Sequence, residues 1–394
     1  MRGEVKVKRL ARAAAVLASG VASVGVIAPA TVASAATTQR PMAASVVCPL
    51  ASAAVVSAGT AQRAVPERAA ATALPSIRWG IDYDNNGADT TGKIVTADIN
   101  QTEADDAGVV RLIPPLVDVF NNMLEGNVSN SATNESYDQQ FPTAQAQAVV
   151  NAGATPMLTT QWDWNLCNIT TSADDKILTD WANHAANFKS AAGKPYTVLI
   201  RPWRELNGDW YPWAVPNPNV GAAEYVAAWR HAYNIIHPIA PNVLWVWNVS
   251  TGATAAHQTE GYLSAAYPGN GYVDYVSFDS YVGDNETSSQ TSEPWSDTQP
   301  MYNTLTTSPF PGSTKPVMVA EFSIKTSDSW LTDKTRAAWI RNTFSDAASN
   351  QPSVRSMDWF NGAGPPDAVT AFDNTAYPLS QSAFDNAVDN PPYS

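Results

Sequence analysis

The chain has 394 residues, a formal charge of −13, a hydrophobic share of 44% and 14 tryptophans. So acidic a surface repels phosphate backbones and anionic headgroups, which argues against nucleic acid and membrane as partners and suits a neutral ligand. Four scattered histidines and two cysteines show no metal-ligand spacing, so no metal and no cofactor is expected.

Residues 1–35 read as a secretory signal peptide. Lys6, Lys8, Arg9 and Arg12 form a basic start, Ala13 to Ile27 is small and apolar, and "ASA" at 33–35 is an A-x-A cleavage site. The apolar run is too short for a membrane anchor, and no later stretch reaches the roughly 18 apolar residues of a spanning helix. The expectation is a secreted, extracellular protein. The first 35 residues carry five bases and one acid, a net +4, so the remainder stands at −17. Residues 36–75 are Ala-, Val-, Ser- and Thr-rich without a firm period, as in a linker or propeptide. Cys48 lies there, and the other cysteine is Cys167. Export permits a disulfide; whether these two are bridged stays open. Residues 76–394 remain for one domain, a length within the range of single barrels.

In that domain short apolar runs alternate with polar loops and helix-like stretches. The runs are 77–84 (IRWGIDYD), 108–116 (GVVRLIPPL), 155–164 (TPMLTTQWDW), 196–206 (YTVLIRPWREL), 242–250 (NVLWVWNVS), 273–283 (VDYVSFDSYVG), 315–323 (KPVMVAEFS) and 354–362 (VRSMDWFNG). Residues 173–191, 222–236 and 332–347 are helix candidates; in the first, Ile177, Trp181, Ala185 and Phe188 fall at helical spacing. Eight buried-type strands alternating with helices predict an α/β fold, a (β/α)8 TIM barrel. The alternative, an open doubly wound sheet, usually carries a glycine-rich turn after its first strand, and none is present. Polar and aromatic residues gather at the C-terminal ends of the runs, where a barrel keeps its chemistry: Asp82, Arg111, Trp162, Glu205, Asn248, Asp279, Tyr281, Glu321 and Trp359.

Glu205 closes the fourth strand and Glu321 the seventh, on opposite sides of the mouth. Two carboxylates across a cleft are what glycoside hydrolysis needs, one protonated to donate and one ionised to attack, roughly 5–5.5 Å apart in a retaining enzyme. Sugar rings stack on indole, and their hydroxyls take planar amide and guanidinium partners. Trp162, Trp210, Trp213, Trp247 and Trp359 are the expected faces; Arg201, Asn207 and Asn248 are the expected hydrogen-bonding groups, with Asn207 also a support for the loop. Trp203 and Trp245 are expected in the packing.

The segments RPWRELNGDWYPW (201–213), VLWVWNVS, YVDYVSFDSYVG and KPVMVAEFS resemble the strand-four to strand-seven signature of glycoside hydrolase family 26, and the similarity runs from about residue 76 to 370. The resemblance implies Glu205 as general acid/base, Glu321 as nucleophile, Tyr281 as the hydroxyl holding the nucleophile, Trp359 as the platform beneath the cleaved sugar and Trp210 as the aromatic beside the acid/base. It implies a β-mannanase, with β-1,3-1,4-glucanase and β-1,3-xylanase as alternatives. The expected partner is a polysaccharide or oligosaccharide, and the expected state a monomer.

Two positions depart from the family's pattern. Arg204 stands where the family usually has His, and Asn248 lies in a VWNVS segment where the family more often has Ser-Pro after the tryptophan. A permanent cation beside the acid/base would oppose its protonation, so Arg204 is expected to face Glu321 or the substrate and not the Glu205 carboxylate, among the binding residues. A non-catalytic sugar-binding relative is the competing reading. The long segments 121–140 and 283–302 would set whether the cleft is open to internal cuts.

Overall fold

The computed structural model describes residues 77–83, 116–120, 140–282, 298–324, 332–360, 377–389 and 392–393. The signal and linker readings, Cys48, Arg111, the Asp82 side chain and nearly all of 121–140 and 283–297 lie outside the described residues.

Eight strands close into a parallel barrel in chain order, with β8 pairing back to β1. They are β1 (Arg78–Tyr83), β2 (Leu116–Phe120), β3 (Thr155–Thr160), β4 (Val198–Pro202), β5 (Val243–Ser250), β6 (Tyr275–Val282), β7 (Val317–Ile324) and β8 (Val354–Phe360). The described helices are α1 (Thr143–Asn151), α2 (Leu166–Thr170), α3 (Asp175–Asn187), α4 (Gly221–Ile239), α5 (Glu260–Ala265), α6 (Thr298–Thr306), α7 (Asp333–Asn350) and α8 (Pro378–Val388). The (β/α)8 expectation holds.

The second strand is displaced from its expected place. It was expected over 108–116, but β2 starts at Leu116. Pro114 and Pro115 lack the N–H that a strand between two neighbours must donate. The shift brings Asp118 into the barrel wall, fully buried.

The barrel interior is layered. Leu116, Met157, Leu199, Val246, Tyr275 and Met318 form an apolar plug. Two residues further along their strands stand Asp118, Thr159, Arg201, Asn248 and Ser277, all buried. Period-2 alternation keeps both sets inward, so the polar layer sits above the plug. Gly80 gives room within it: a Cβ there would lie 2.0 Å from Asp358 Oδ1.

The outer face of each strand packs under the helices. Trp162 sits edge-on to Trp181 and Trp203 at 5.5 and 5.4 Å, with Trp245 at 6.0 Å. Each such ring buries roughly 150–250 Å², so this cluster is a principal source of apolar stabilisation. α3 contributes Leu178, Trp181, Ala182 and Ala185. Cys167, in α2, is disulfide-bonded; the sequence has two cysteines in all.

β7 carries the irregularity that matters most. Phe278 pairs with Val319, but Asp279 pairs with Glu321, so Ala320 is an extra residue on β7. Ala320 packs in the inner apolar cluster. The bulge lets Glu321 point inward directly after it, which strict alternation forbids.

Candidate active site

The turn after β4 begins with Trp203 and includes Glu205, at φ 48° and 50°. Left-handed backbone is disfavoured for residues with a Cβ and persists only where neighbours hold it. The Glu205 N–H donates to Asn248 Oδ1 at 2.7 Å, and the Trp203 N–H to the Thr160 carbonyl at 3.2 Å. The strained turn lifts Glu205 to the barrel mouth, 8% exposed.

The Glu205 carboxyl accepts a hydrogen bond from Trp210 Nε1 at 2.8 Å on Oε2. Its pKa is raised, first by burial and then by the charge of Glu321. Arg204 and hydrogen bonds from Trp210 and Ser250 oppose the rise. This environment favours a carboxyl that keeps its proton.

Glu321 has different company. Arg201 Nη2 lies 2.6 Å from its Oε1, and Arg204 Nε lies 3.7 Å from the same oxygen. The Tyr281 hydroxyl donates to Oε2. Burial, then the charge of Glu321, pushes the Tyr281 phenol well above its ordinary value, so it stays a donor. Two guanidiniums and a phenol thus supply countercharge and a hydrogen bond to one carboxylate.

Arg201 is the hub beneath. Its Nε donates to Thr159 Oγ1 at 2.8 Å, Nη1 to Asp279 Oδ1 at 3.1 Å and Nη2 to Asp118 Oδ2 at 2.7 Å. A buried cation is stable only when paired and hydrogen-bonded, and here, with Glu321 included, four strands supply the partners.

Arg204 is held from the opposite side. Its Nη2 donates to the Tyr211 hydroxyl, and its guanidinium lies 4.8 Å from that ring's centroid. Tyr211 stacks on Trp213 at 4.5 Å, and Trp213 Nε1 donates to the Arg204 carbonyl at 2.9 Å. The arginine therefore faces Glu321, as the departure from His led us to expect, while its charge also reaches Glu205.

Several expected sugar contacts are corrected. Trp162 and Trp247 are 1% and 0% exposed. Trp162 belongs to the outer tryptophan cluster, and Trp247 packs against Tyr267 and Phe310 at 5.3 and 5.8 Å. Trp213 is buried in the Arg204 support. Trp359 points outward, against Phe322 and Phe384 at 5.2 and 5.7 Å. Asn207 is fully buried: it donates to the Ser250 carbonyl at 2.9 Å and accepts from the Ser250 N–H at 2.7 Å, so it braces the loop and takes no sugar. Trp210, at 44% exposure, is the aromatic that does present a face beside Glu205.

Sequence reasoning missed Asp118, Tyr211 and Phe360. Phe360 follows Asp358 on the inward face of β8, and its ring meets Tyr281 edge-on at 5.7 Å. Its signal was alternation along "MDWF", in which Asp and Phe share a face.

The sequence model of Glycosyl hydrolase family 26 matches residues 140–360. Endoglucanase H of Acetivibrio thermocellus is 30% identical over 235 residues, 58% of this chain and 24% of its own length. Mannan endo-1,4-beta-mannosidase A and B of Caldalkalibacillus mannanilyticus is 33% identical over 94 residues, 22% of this chain and 17% of its own. The matches thus span less than a quarter of either relative. Among solved structures, the catalytic domain of the Bacillus sp. JAMB-750 GH26 endo-beta-1,4-mannanase superposes with a TM-score of 0.56 at 16% identity, over 82% of this chain and 88% of that one. GH26C from Muricauda sp. MAR_2010_75 gives 0.54 at 15%, over 81% and 87%. At such identities the likeness speaks for the barrel.

Proposed function

The chain belongs to glycoside hydrolase family 26, and from that premise we propose that it is a secreted, endo-acting β-glycanase that cleaves β-1,4-mannan with retention of anomeric configuration. Glu321 is the nucleophile and Glu205 the general acid/base. The Glu321 carboxylate attacks the anomeric carbon while Glu205 gives its proton to the glycosidic oxygen, and that C–O bond breaks. A covalent glycosyl-enzyme results. Glu205, now ionised, takes a proton from water; the water oxygen attacks the anomeric carbon and Glu321 is released.

The observation that carries this reading is the contrast between the two acids. Burial and a neighbouring carboxylate hold Glu205 toward its protonated form, whereas Glu321 faces Arg201, Arg204 and the Tyr281 hydroxyl. Environments that push two carboxyls apart set the acid and nucleophile roles. Trp210 supports substrate binding as an indole face beside the acid/base.

A reducing-sugar assay on glucomannan, galactomannan, barley β-glucan, laminarin and β-1,3-xylan, with product sizes recorded, tests it. Release of internal fragments from the mannans is expected, lost in Glu321→Gln. Binding without release would leave a sugar-binding protein. A second reading, β-1,3-1,4-glucanase, is favoured by one observation: the similarity to endoglucanase H spans 58% of this chain, against 22% for the mannanase A and B. Preference for barley β-glucan would decide for it. Export rests on the N-terminal signal reading; an N-terminus after Ala35 in the secreted protein is the expected result.

A further inference from the structure

Asn248 lies between the two acids and touches neither carboxylate. It stands on β5, fully buried, and its whole amide is engaged. Its Oδ1 accepts the Glu205 N–H at 2.7 Å. Its Nδ2 donates to Ser277 Oγ at 3.0 Å and to Asp279 Oδ1 at 2.9 Å. Ser277 Oγ donates onward to the Trp247 carbonyl at 3.1 Å, so it is the acceptor toward Asn248 and the amide has one possible orientation. Asp279 Oδ1 also receives Arg201 Nη1 at 3.1 Å, and Arg201 Nη2 holds Glu321 at 2.6 Å. One buried line of hydrogen bonds therefore runs from the Glu205 peptide through Asn248, Asp279 and Arg201 to the Glu321 carboxylate.

The Glu205 end of that line is the sterically costly one, with φ at 50°. Among the described contacts, a side-chain carbonyl facing the N–H of a left-handed residue is the direct means of holding that peptide plane. Serine has one hydroxyl where three bonds are needed, and an ionised aspartate has no donor for Asp279. An amide meets all three demands.

We propose that Asn248 is a positioning residue for Glu205. Its side chain locks the Glu205 backbone so that the carboxyl meets the glycosidic oxygen, and registers it against the support of Glu321. This rests on Glu205 being the proton donor. Its loss appears in proton donation to poor leaving groups, because a misplacement of about 1 Å at a reacting group costs on the order of a hundredfold in rate.

The test compares two substrates in the full-length protein: the polysaccharide hydrolysed best, and the dinitrophenyl β-glycoside of its repeating disaccharide, whose leaving group departs without a proton. In Asn248→Ala and Asn248→Ser, kcat/KM on the polysaccharide should fall about a hundredfold, mainly through kcat, while the aryl glycoside loses less than about threefold. Glu205→Ala should show the same contrast, larger. Circular dichroism reports folding, and Asn248→Ser is read if Asn248→Ala does not fold. Equal losses on both substrates, unchanged kinetics, or failure of both variants to fold make Asn248 structural and overturn the proposal. A Glu205→Ala variant active on polysaccharide would sink the role of Glu205 and the proposal with it; an inactive Glu205→Ala beside unaffected Asn248 variants sinks the proposal alone.

Discussion

Trp359 and Phe360 are consecutive in β8 and face opposite sides of the barrel wall. Trp359 packs outward against Phe322 and Phe384, whereas Phe360 meets Tyr281 inside the mouth. Trp359→Ala should cost about 3–5 kcal/mol of stability, the range for emptying a large aromatic site. Phe360→Ala should cost under about 1 kcal/mol but lower kcat/KM roughly three- to tenfold, since the ring steadies the hydroxyl that holds Glu321. Denaturant unfolding alongside kinetics separates the two. Loss of catalysis without loss of stability in Trp359→Ala would reverse the assignment.

Arg204 bears on both acids. It supplies countercharge to Glu321 at 3.7 Å and opposes the raised pKa of Glu205. Arg204→Met keeps the apolar stem and removes the charge. The Glu205 proton is then held to higher pH, so the alkaline limb of kcat/KM should move upward while the maximum falls. A pH–rate profile reads both. An alkaline limb that stays put or moves down would show that the guanidinium does not act on Glu205.

The barrel was legible because its strands are near-continuous apolar runs separated by polar breaks, and both acids were legible because each ends such a run. The inner polar layer was not. Asp118 lies in "LVDVF", just past Pro114 and Pro115, whereas the apolar pattern points to a strand over 108–116. Trp162, Trp247 and Trp359 misled because an indole at a strand end serves a sugar or the outer packing equally well, and one residue of alternation decides between them. Ala320 hides a bulge whose effect is visible only in the register with Asp279. Asn248 looked like a sugar ligand because sequence cannot show that its amide is fully spent on its neighbours.

Buried carboxyls in the polar layer give stability a definite pH dependence. Asp358 is held well above its ordinary value by burial, with the charge of Asp118 adding to it and the Ser356 hydrogen bond opposing it. Asp279 is raised by burial and then by Glu321. For a raised carboxyl the folded state binds the proton that the unfolded chain releases near pH 4. The stability it contributes is complete below about pH 4 and is lost as pH rises through the folded pKa. Asp358→Asn removes one such group at constant shape, and Ser356 Oγ, 2.9 Å from Oδ1, keeps an acceptor. Its Tm should decline less than the parent's with rising pH. Parallel curves would remove Asp358 from the account.

Trp210 joins substrate binding to proton donation through a single side chain. Its ring is 44% exposed, and its Nε1 donates to Glu205 Oε2 at 2.8 Å. That bond favours the ionised acid and is one of the effects restraining the rise in the Glu205 pKa. Trp210→Phe keeps an aromatic face and deletes the donor. The alkaline limb of kcat/KM should therefore move to higher pH with KM changed less than about threefold, because burial and the Glu321 charge then act with less opposition. Trp210→Ala deletes both functions and should raise KM roughly fivefold more, a stacked aromatic contact being worth on the order of 1 kcal/mol. Neither variant should shift Tm by more than a few degrees, since an exposed side chain contributes within about ±0.5 kcal/mol. A Trp210→Phe enzyme with the parent's pH profile would show that the indole N–H leaves the Glu205 proton untouched, and would confine Trp210 to binding the sugar.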